Sequence, residues 1–243
     1  MLKNFMAQKL KYKRILLKLS GEVFGGENGE GVDGKVLMDL AKEVYGLQKI
    51  GCQVGVVIGG GNFWRYRDFQ HLKFDRTTSD NMGMLATVMN ALAFEEALRA
   101  VGAEVRAMSS FPAEKALETY TVKSARHDLS KGRIVIFAGG TGSPFFTTDS
   151  AAALRALEMN CDVLLKATKV DYVYDKDPMK FKDAKKYTRM TYQDIIENGL
   201  GVMDMTCASM CKEGKIPMLV FNLNKKGSIE KVVKGDKIGT LIN

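Results

Sequence analysis

The sequence predicts an α/β fold, a three-layer αβα sandwich around a mostly parallel central sheet, and three observations predict it. Six short, almost continuously apolar runs recur along the 243 residues, as strands covered on both faces do. Helical apolar patterns lie between them, so strand and helix alternate. The composition is that of a globular chain, 46% hydrophobic and 26% charged, long enough to bury a sizeable core. Four prolines are too few for a stiff linker and no Gly/Ser tract separates two halves. The chain therefore reads as one domain over 1–243, with 1–12 as a basic N-terminal tail.

RILLKL (14–19) is the first strand and leads into Ser20-Gly21. The stretch GEGVDGKV (29–36) nearly spells two phosphate-loop patterns. Val36 replaces the required hydroxyl, and the preceding strand ends too early to feed the loop, so 22–33 reads as a surface loop. A helix follows over 34–50, then QVGVVI (53–58), which runs straight into Gly59-Gly60-Gly61. The segment 79–101 is the clearest helix, with Ser79-Asp80 as cap candidates and an apolar face through Met84, Leu85, Val88, Leu92 and Leu98. EVRAMS (104–109), a helix over 113–130 and RIVIFA (133–138) come next. After RIVIFA stands GGTGSPFFTTDSAA. In it Pro144 sets a turn, Phe145-Phe146 is expected to pack beneath it, and Thr147-Thr148 opens an Ala-rich helix over 148–159. DVLLKA (162–167), a helix over 203–213 and PMLVFN (217–222) complete the alternation.

Ligands of open α/β sheets bind beyond the carboxyl ends of the strands. Four such ends here carry Gly, Thr, Lys or Asp. Consecutive glycines let backbone N–H groups approach an anion, and a helix opening on Thr147-Thr148 offers free N–H groups to a phosphate. Lys18 and Arg65 are cations placed to lie between the two cradles. Two facing phosphate sites suggest phosphoryl transfer, which asks for alignment and positive charge. A phosphate monoester acceptor is already ionised near neutral pH and needs no general base. The two histidines, His71 and His127, lie away from these loops, which argues against a Ser-His-Asp triad.

The net charge of +8 suits polyanionic substrates and requires no nucleic acid, although a basic nucleic-acid binder or a non-catalytic nucleotide sensor would share it. Cys52, Cys161, Cys207 and Cys211 have no CxxC spacing and no neighbouring histidine, so they read as free thiols of a reducing compartment rather than metal ligands. With neither an apolar leader nor a membrane-length apolar stretch, the expected location is the cytoplasm.

KRILLKLSGE, GVVIGGGN followed by Arg65, SDNMGMLATVMN, GTGSPFFTTDSAA, LLKATKVD and VMD, in this order, closely resemble the bacterial uridylate kinases of the amino-acid kinase fold family. The resemblance runs from Lys13 to Ile242. It implies transfer of the ATP γ-phosphoryl group to UMP, with Mg²⁺ accompanying ATP. It implies ATP contacts from Lys18, Ser20, Gly21, Gly61 and Arg65, and a nucleoside pocket from Thr168, Tyr174 and Asp177. UMP is implied to meet Gly60, Asp80 and the run Thr141, Gly142, Ser143, Pro144, Phe145, Phe146, Thr147 and Thr148. Lys18 and Lys166 would offset charge on the moving group, Arg65 would join them in the catalytic set, and Asp149 and Asp204 would orient the lysines and help place the metal. The resemblance further implies a homohexamer, inhibition by UTP and GTP as a candidate activator. Two departures stand out. Ser143 replaces a family asparagine, and Glu95-Glu96 occupies a place where relatives carry an arginine used by GTP, although Arg106 still matches a later one. Within the fold, a kinase of carboxylates or carbamates is the rival reading, and it would need a cationic pocket rather than Asp80.

Overall fold

The computed structural model describes residues 10–176 and 178–243. The tail through residue 9 and the expected ATP contact Asp177 lie outside them. All six predicted strands form: Arg14–Leu19 (β1), Gln53–Ile58 (β2), Val105–Ser109 (β3), Ile134–Ala138 (β5), Val163–Thr168 (β6) and Met218–Asn222 (β10). Short strands at Glu118–Thr119 (β4), Val173–Tyr174 (β7), Lys186–Tyr187 (β8), Arg189–Met190 (β9) and Thr240–Ile242 (β11) join them. Among the described residues the main sheet has nine strands in the order β4-β3-β5-β2-β1-β6-β10-β11-β9, and β7-β8 pair separately. Its only antiparallel pair is β10 with β11.

The helices are Gly21–Phe24 (α1), Gly34–Lys49 (α2), Arg76–Ala100 (α3), Val122–Ser130 (α4), Thr148–Glu158 (α5), Tyr192–Asn198 (α6), Met205–Glu213 (α7) and Ser228–Lys234 (α8). Strand alternation divides the core. Ile15, Leu17 and Leu19 pack with α2, α3 and α8, whereas Leu16 faces α4 to α7 on the other side. This is the three-layer sandwich that two-faced apolar strands require. Among the described residues, no helix is long and apolar enough to cross a membrane.

Three expectations are corrected. The helix foreseen over 113–130 begins only at Val122, capped by Thr121. Before it, Glu118 and Thr119 pair with Met108 and Ser109, so an edge of the sheet claims residues that local pattern gives to a helix. The start of α3 precedes Ser79-Asp80; Asp75 is the cap, accepting from Thr78 N at 2.8 Å. On its foreseen apolar face, Leu85 is exposed. In the 22–33 region, Gly31 N donates to Asn62 O at 3.0 Å and Asn62 Nδ2 returns a bond to Gly31 O at 2.6 Å. Asp33 caps α2 by accepting from Lys35 N and Val36 N. A carboxylate thus already sits where a phosphate loop would bind its anion.

Candidate active site

β1 and β6 run parallel with Lys18 opposite Lys166, so two lysines leave neighbouring strands side by side. Asp149, in the first turn of α5, enters between them. Its Oδ1 stands 3.0 Å from Lys18 Nζ and its Oδ2 accepts from Lys166 Nζ. All three side chains are largely buried. Burial pushes the Asp149 carboxyl up, but Lys18 and then Lys166 outweigh it and hold the group below the usual carboxylate range. Burial lowers the Lys166 ammonium; Asp149 opposes this, Lys18 adds to it, and the net direction is down. One carboxylate between two lysines leaves a net cation.

This cluster lies against a cavity of about 480 Å³, within the range of small-molecule sites. Lys18, Ser20, Gly21, Gly60, Gly61, Arg65, Asp80, Thr141, Ser143, Phe146, Thr147 and Thr148 all line it. Gly142, Pro144 and Phe145 belong to the same loop. Thr168 and Tyr174 are not brought into this cavity. Thr168 stands opposite Asn222 where β6 and β10 end, beside a smaller hollow lined by Asp171, Tyr172, Asn222 and Lys225. Tyr174 lies in the β7-β8 hairpin.

The triple glycine has a packing reason as well as an anion-binding one. A Cβ on Gly60 would stand 2.6 Å from Gly83 O and 2.8 Å from Ala86 Cβ, because α3 crosses directly over the loop. Gly60→Ala is therefore expected to destabilise the fold by about 1–3 kcal/mol, read as a lowered thermal midpoint. A midpoint equal to the parent's would show that α3 is not held this close. The loop is also pinned from beneath by a buried amide pair. Asn90 Nδ2 donates to Gly59 O at 2.8 Å and to Asn62 Oδ1 at 2.7 Å. The sequence pattern gives neither asparagine a role; the one signal it carries is Asn90 inside the apolar run ATVMNALAF.

Arg65 reaches the cavity with its Nη2 3.1 Å from Glu22 Oε1, and its Nε donates to Gly61 O at 2.6 Å. Asp80 is a hub: Arg76 Nε donates to both its oxygens, at 2.9 and 2.8 Å, and Phe145 N donates to Oδ2 at 2.8 Å. Arg76 lies 4.7 Å from the Tyr66 ring centroid and 5.4 Å from that of Phe145. Its spacing from Asp80 is that of a helical pair, but the sequence pattern starts the helix at 79 and leaves Arg76 outside it.

Further expectations are corrected here. Phe145 and Phe146 do not pack beneath the turn; they are 67% and 50% exposed. Phe145 has φ +69, held by its bond to Asp80. The Thr147 hydroxyl is not free for a ligand. It donates to Asp204 Oδ2 and accepts from Asp149 N and Ser150 N as the cap of α5. The hydrogen bonds of Asp204 go to other groups than the lysines. It accepts from Thr147 and Ser150 hydroxyls and caps α7 through Cys207 N, so it ties the start of α5 to the start of α7.

All four cysteines are buried and free, and burial pushes Cys52 and Cys161 up to about 12, which makes them poor nucleophiles. Among the described residues no cluster of three His, Cys, Asp or Glu side chains could hold a metal. A divalent cation would fit here only as magnesium fits many phosphate sites, carried on the nucleotide with one or two protein carboxylates nearby.

The amino acid kinase family model matches residues 13–222. Two curated proteins called uridylate kinase are close relatives. That of Methylococcus capsulatus is 49% identical over 95% of this chain and 97% of its own length. That of Alcanivorax borkumensis is 50% identical over 96% and 92%. Among solved structures, a UMP kinase from Bacillus anthracis superposes with TM-score 0.92 at 38% identity, covering 96% of each chain. A uridylate kinase from Archaeoglobus fulgidus superposes with TM-score 0.71 at 29% identity, over 94% of this chain and 99% of that one.

Proposed function

The chain belongs to the amino acid kinase family, and on that premise we propose that it transfers the γ-phosphoryl group of ATP reversibly to UMP, giving UDP and ADP for pyrimidine nucleotide synthesis in the cytoplasm. The observation that carries this reading is the Lys18–Asp149–Lys166 cluster at the edge of a glycine-lined cavity. The acceptor's phosphate oxygen is already ionised, so the protein's work is to align two polyphosphates and to stabilise charge on the group in flight. Lys18 and Lys166 supply that charge, with Asp149 holding both in register. Ser20, Gly21, Gly61 and Arg65 take the ATP phosphates, and Arg65 exchanges Glu22 for them. Thr168, Tyr174 and Asp177 hold the ATP nucleoside. Magnesium enters with ATP and spreads charge along its phosphates.

UMP meets Gly60, Asp80 and the loop from Thr141 to Thr148. A carboxylate has about four lone-pair sites. Arg76 and Phe145 use three on Asp80, which leaves one on Oδ1 for a ribose hydroxyl. Ser143 offers a hydroxyl where relatives offer an amide. UTP inhibits by occupying the same pocket. GTP activation would have to draw Arg106 away from Glu118 at 2.8 Å and Asp128 at 3.4 Å. Assembly into a homohexamer would use the exposed Met82, Leu85 and Met89 stripe of α3.

Phosphate transfer assayed across UMP, CMP, dUMP and N-acetylglutamate, with UTP or GTP added, tests this reading. UMP is expected to be strongly preferred. Preference for the carboxylate acceptor, or nucleotide binding without UDP formation, would overturn it.

A further inference from the structure

Behind the acceptor loop, α5 carries a buried cation that the proposed mechanism does not use. Arg155 is 3% exposed. Its Nη1 donates to Glu158 Oε2, its guanidinium carbon lies 4.1 Å from the Tyr120 ring centroid, and its Nε has no partner. Tyr120 hydroxyl donates to the same Glu158 oxygen at 2.7 Å. Arg155 Nη2 points forward and donates to Ser110 Oγ at 2.9 Å and to Gly140 O at 3.4 Å. Desolvating a guanidinium is costly, and an apolar side chain would fill the same space more cheaply if packing were the only task.

The direction of the hydrogen bonds shows another task. A guanidinium can only donate. Once Arg155 donates to Ser110 Oγ, the serine proton must go elsewhere; Gly140 O at 2.8 Å is nearer than Ala138 O at 3.1 Å. Both groups therefore anchor one carbonyl of the 139–142 turn. That turn has Gly139, Gly140 and Gly142 at φ +76, +57 and +85; glycine has many such conformations open to it, so contacts outside the turn must select one. It is moulded on Ser110: a Cβ on Gly142 would stand 2.9 Å from Ser110 O, and one on Gly139 would stand 3.1 Å from Ser110 N. Gly140 and Thr141 form part of the cavity wall.

We infer that Arg155, acting through Ser110, is a positioning residue for the acceptor subsite: it locks the 139–142 turn onto the same helix whose first turn carries Asp149. This rests on the proposed transfer to UMP. Neither residue touches the donor side of the cavity, so the two substrates should respond differently.

The test is steady-state kinetics and UMP-binding calorimetry on Ser110→Ala, Arg155→Lys and the parent enzyme, with thermal midpoints alongside. Losing the Ser110 hydroxyl, which links Arg155 to the Gly140 carbonyl, should raise KM and Kd for UMP about tenfold, with KM for ATP within about twofold and the midpoint lowered by about 2–8 °C because a buried guanidinium loses a partner. Arg155→Lys, which keeps the charge but loses the fork, should move UMP affinity in the same direction. UMP constants equal to the parent's in the serine variant would overturn the inference. So would parallel loss of affinity for both nucleotides, the mark of a merely structural role. A parent enzyme that makes no UDP would fail the proposed function itself, and the inference would fall with it; a parent that works while Ser110→Ala binds UMP normally sinks the inference alone.

Discussion

Lys18→Ala is expected to lower kcat/KM for UDP formation by about two orders of magnitude or more, a loss of about 3 kcal/mol of transition-state stabilisation, as for other preorganised charge donors. Lys18 is the penultimate residue of β1, its backbone held by parallel pairing on both sides, and its ammonium is fixed by Asp149 at 3.0 Å. Such a charge needs no reorganisation when the phosphoryl group moves, and this is why its removal should fall on kcat more than on either KM. Lys166 should not compensate, because Asp149 would then neutralise the one lysine left. Steady-state kinetics with both substrates varied decides the matter; an unaltered kcat would remove Lys18 from the mechanism.

Asp149→Asn should harm both activity and folding. In-register strands hold the two lysines side by side, and the amide would leave them facing each other without a counter-charge. Breaking a buried pair in this way costs about 3–5 kcal/mol, and misplaced lysines should cost kcat at least about a hundredfold. The pH dependence follows with a definite sign. The Asp149 pKa is held down in the folded protein, so its stabilising contribution is present above the ordinary carboxylate pKa. It disappears as pH falls through the depressed folded value. Denaturant unfolding across the acid range should therefore show a smaller loss of stability on acidification in Asp149→Asn than in the parent. Lys166, without the opposing pull of Asp149, should also titrate lower still. Parallel acid limbs in the two proteins would contradict this account.

Much of the fold was legible along the chain. Six apolar runs named the main strands correctly, and Thr147-Thr148-Asp149 marked the start of α5, because strand hydrophobicity and helix capping are local properties. The glycine loops and the scattered cations also point to phosphate chemistry without any knowledge of contacts. What failed did so for nonlocal reasons. Residues 118–119 form an edge strand because β3 has an open side to pair with, not because of their own pattern. Phe145-Phe146 stays exposed because Asp80, sixty-five positions away, takes the Phe145 N–H and holds the backbone at positive φ.

By itself, then, the amino-acid order determined the alternation of elements, the glycine turns and the kinds of side chain that end each strand. Only the tertiary structure decided that Lys18 and Lys166 stand abreast with Asp149 between them, that Asp204 accepts from Thr147, and that Arg155 reaches Ser110 and Gly140. Those facts depend on strand order and register, which are set by which apolar faces can be buried together across the whole chain. Hydrogen-bond partners between distant segments exist only once that burial has brought them within reach.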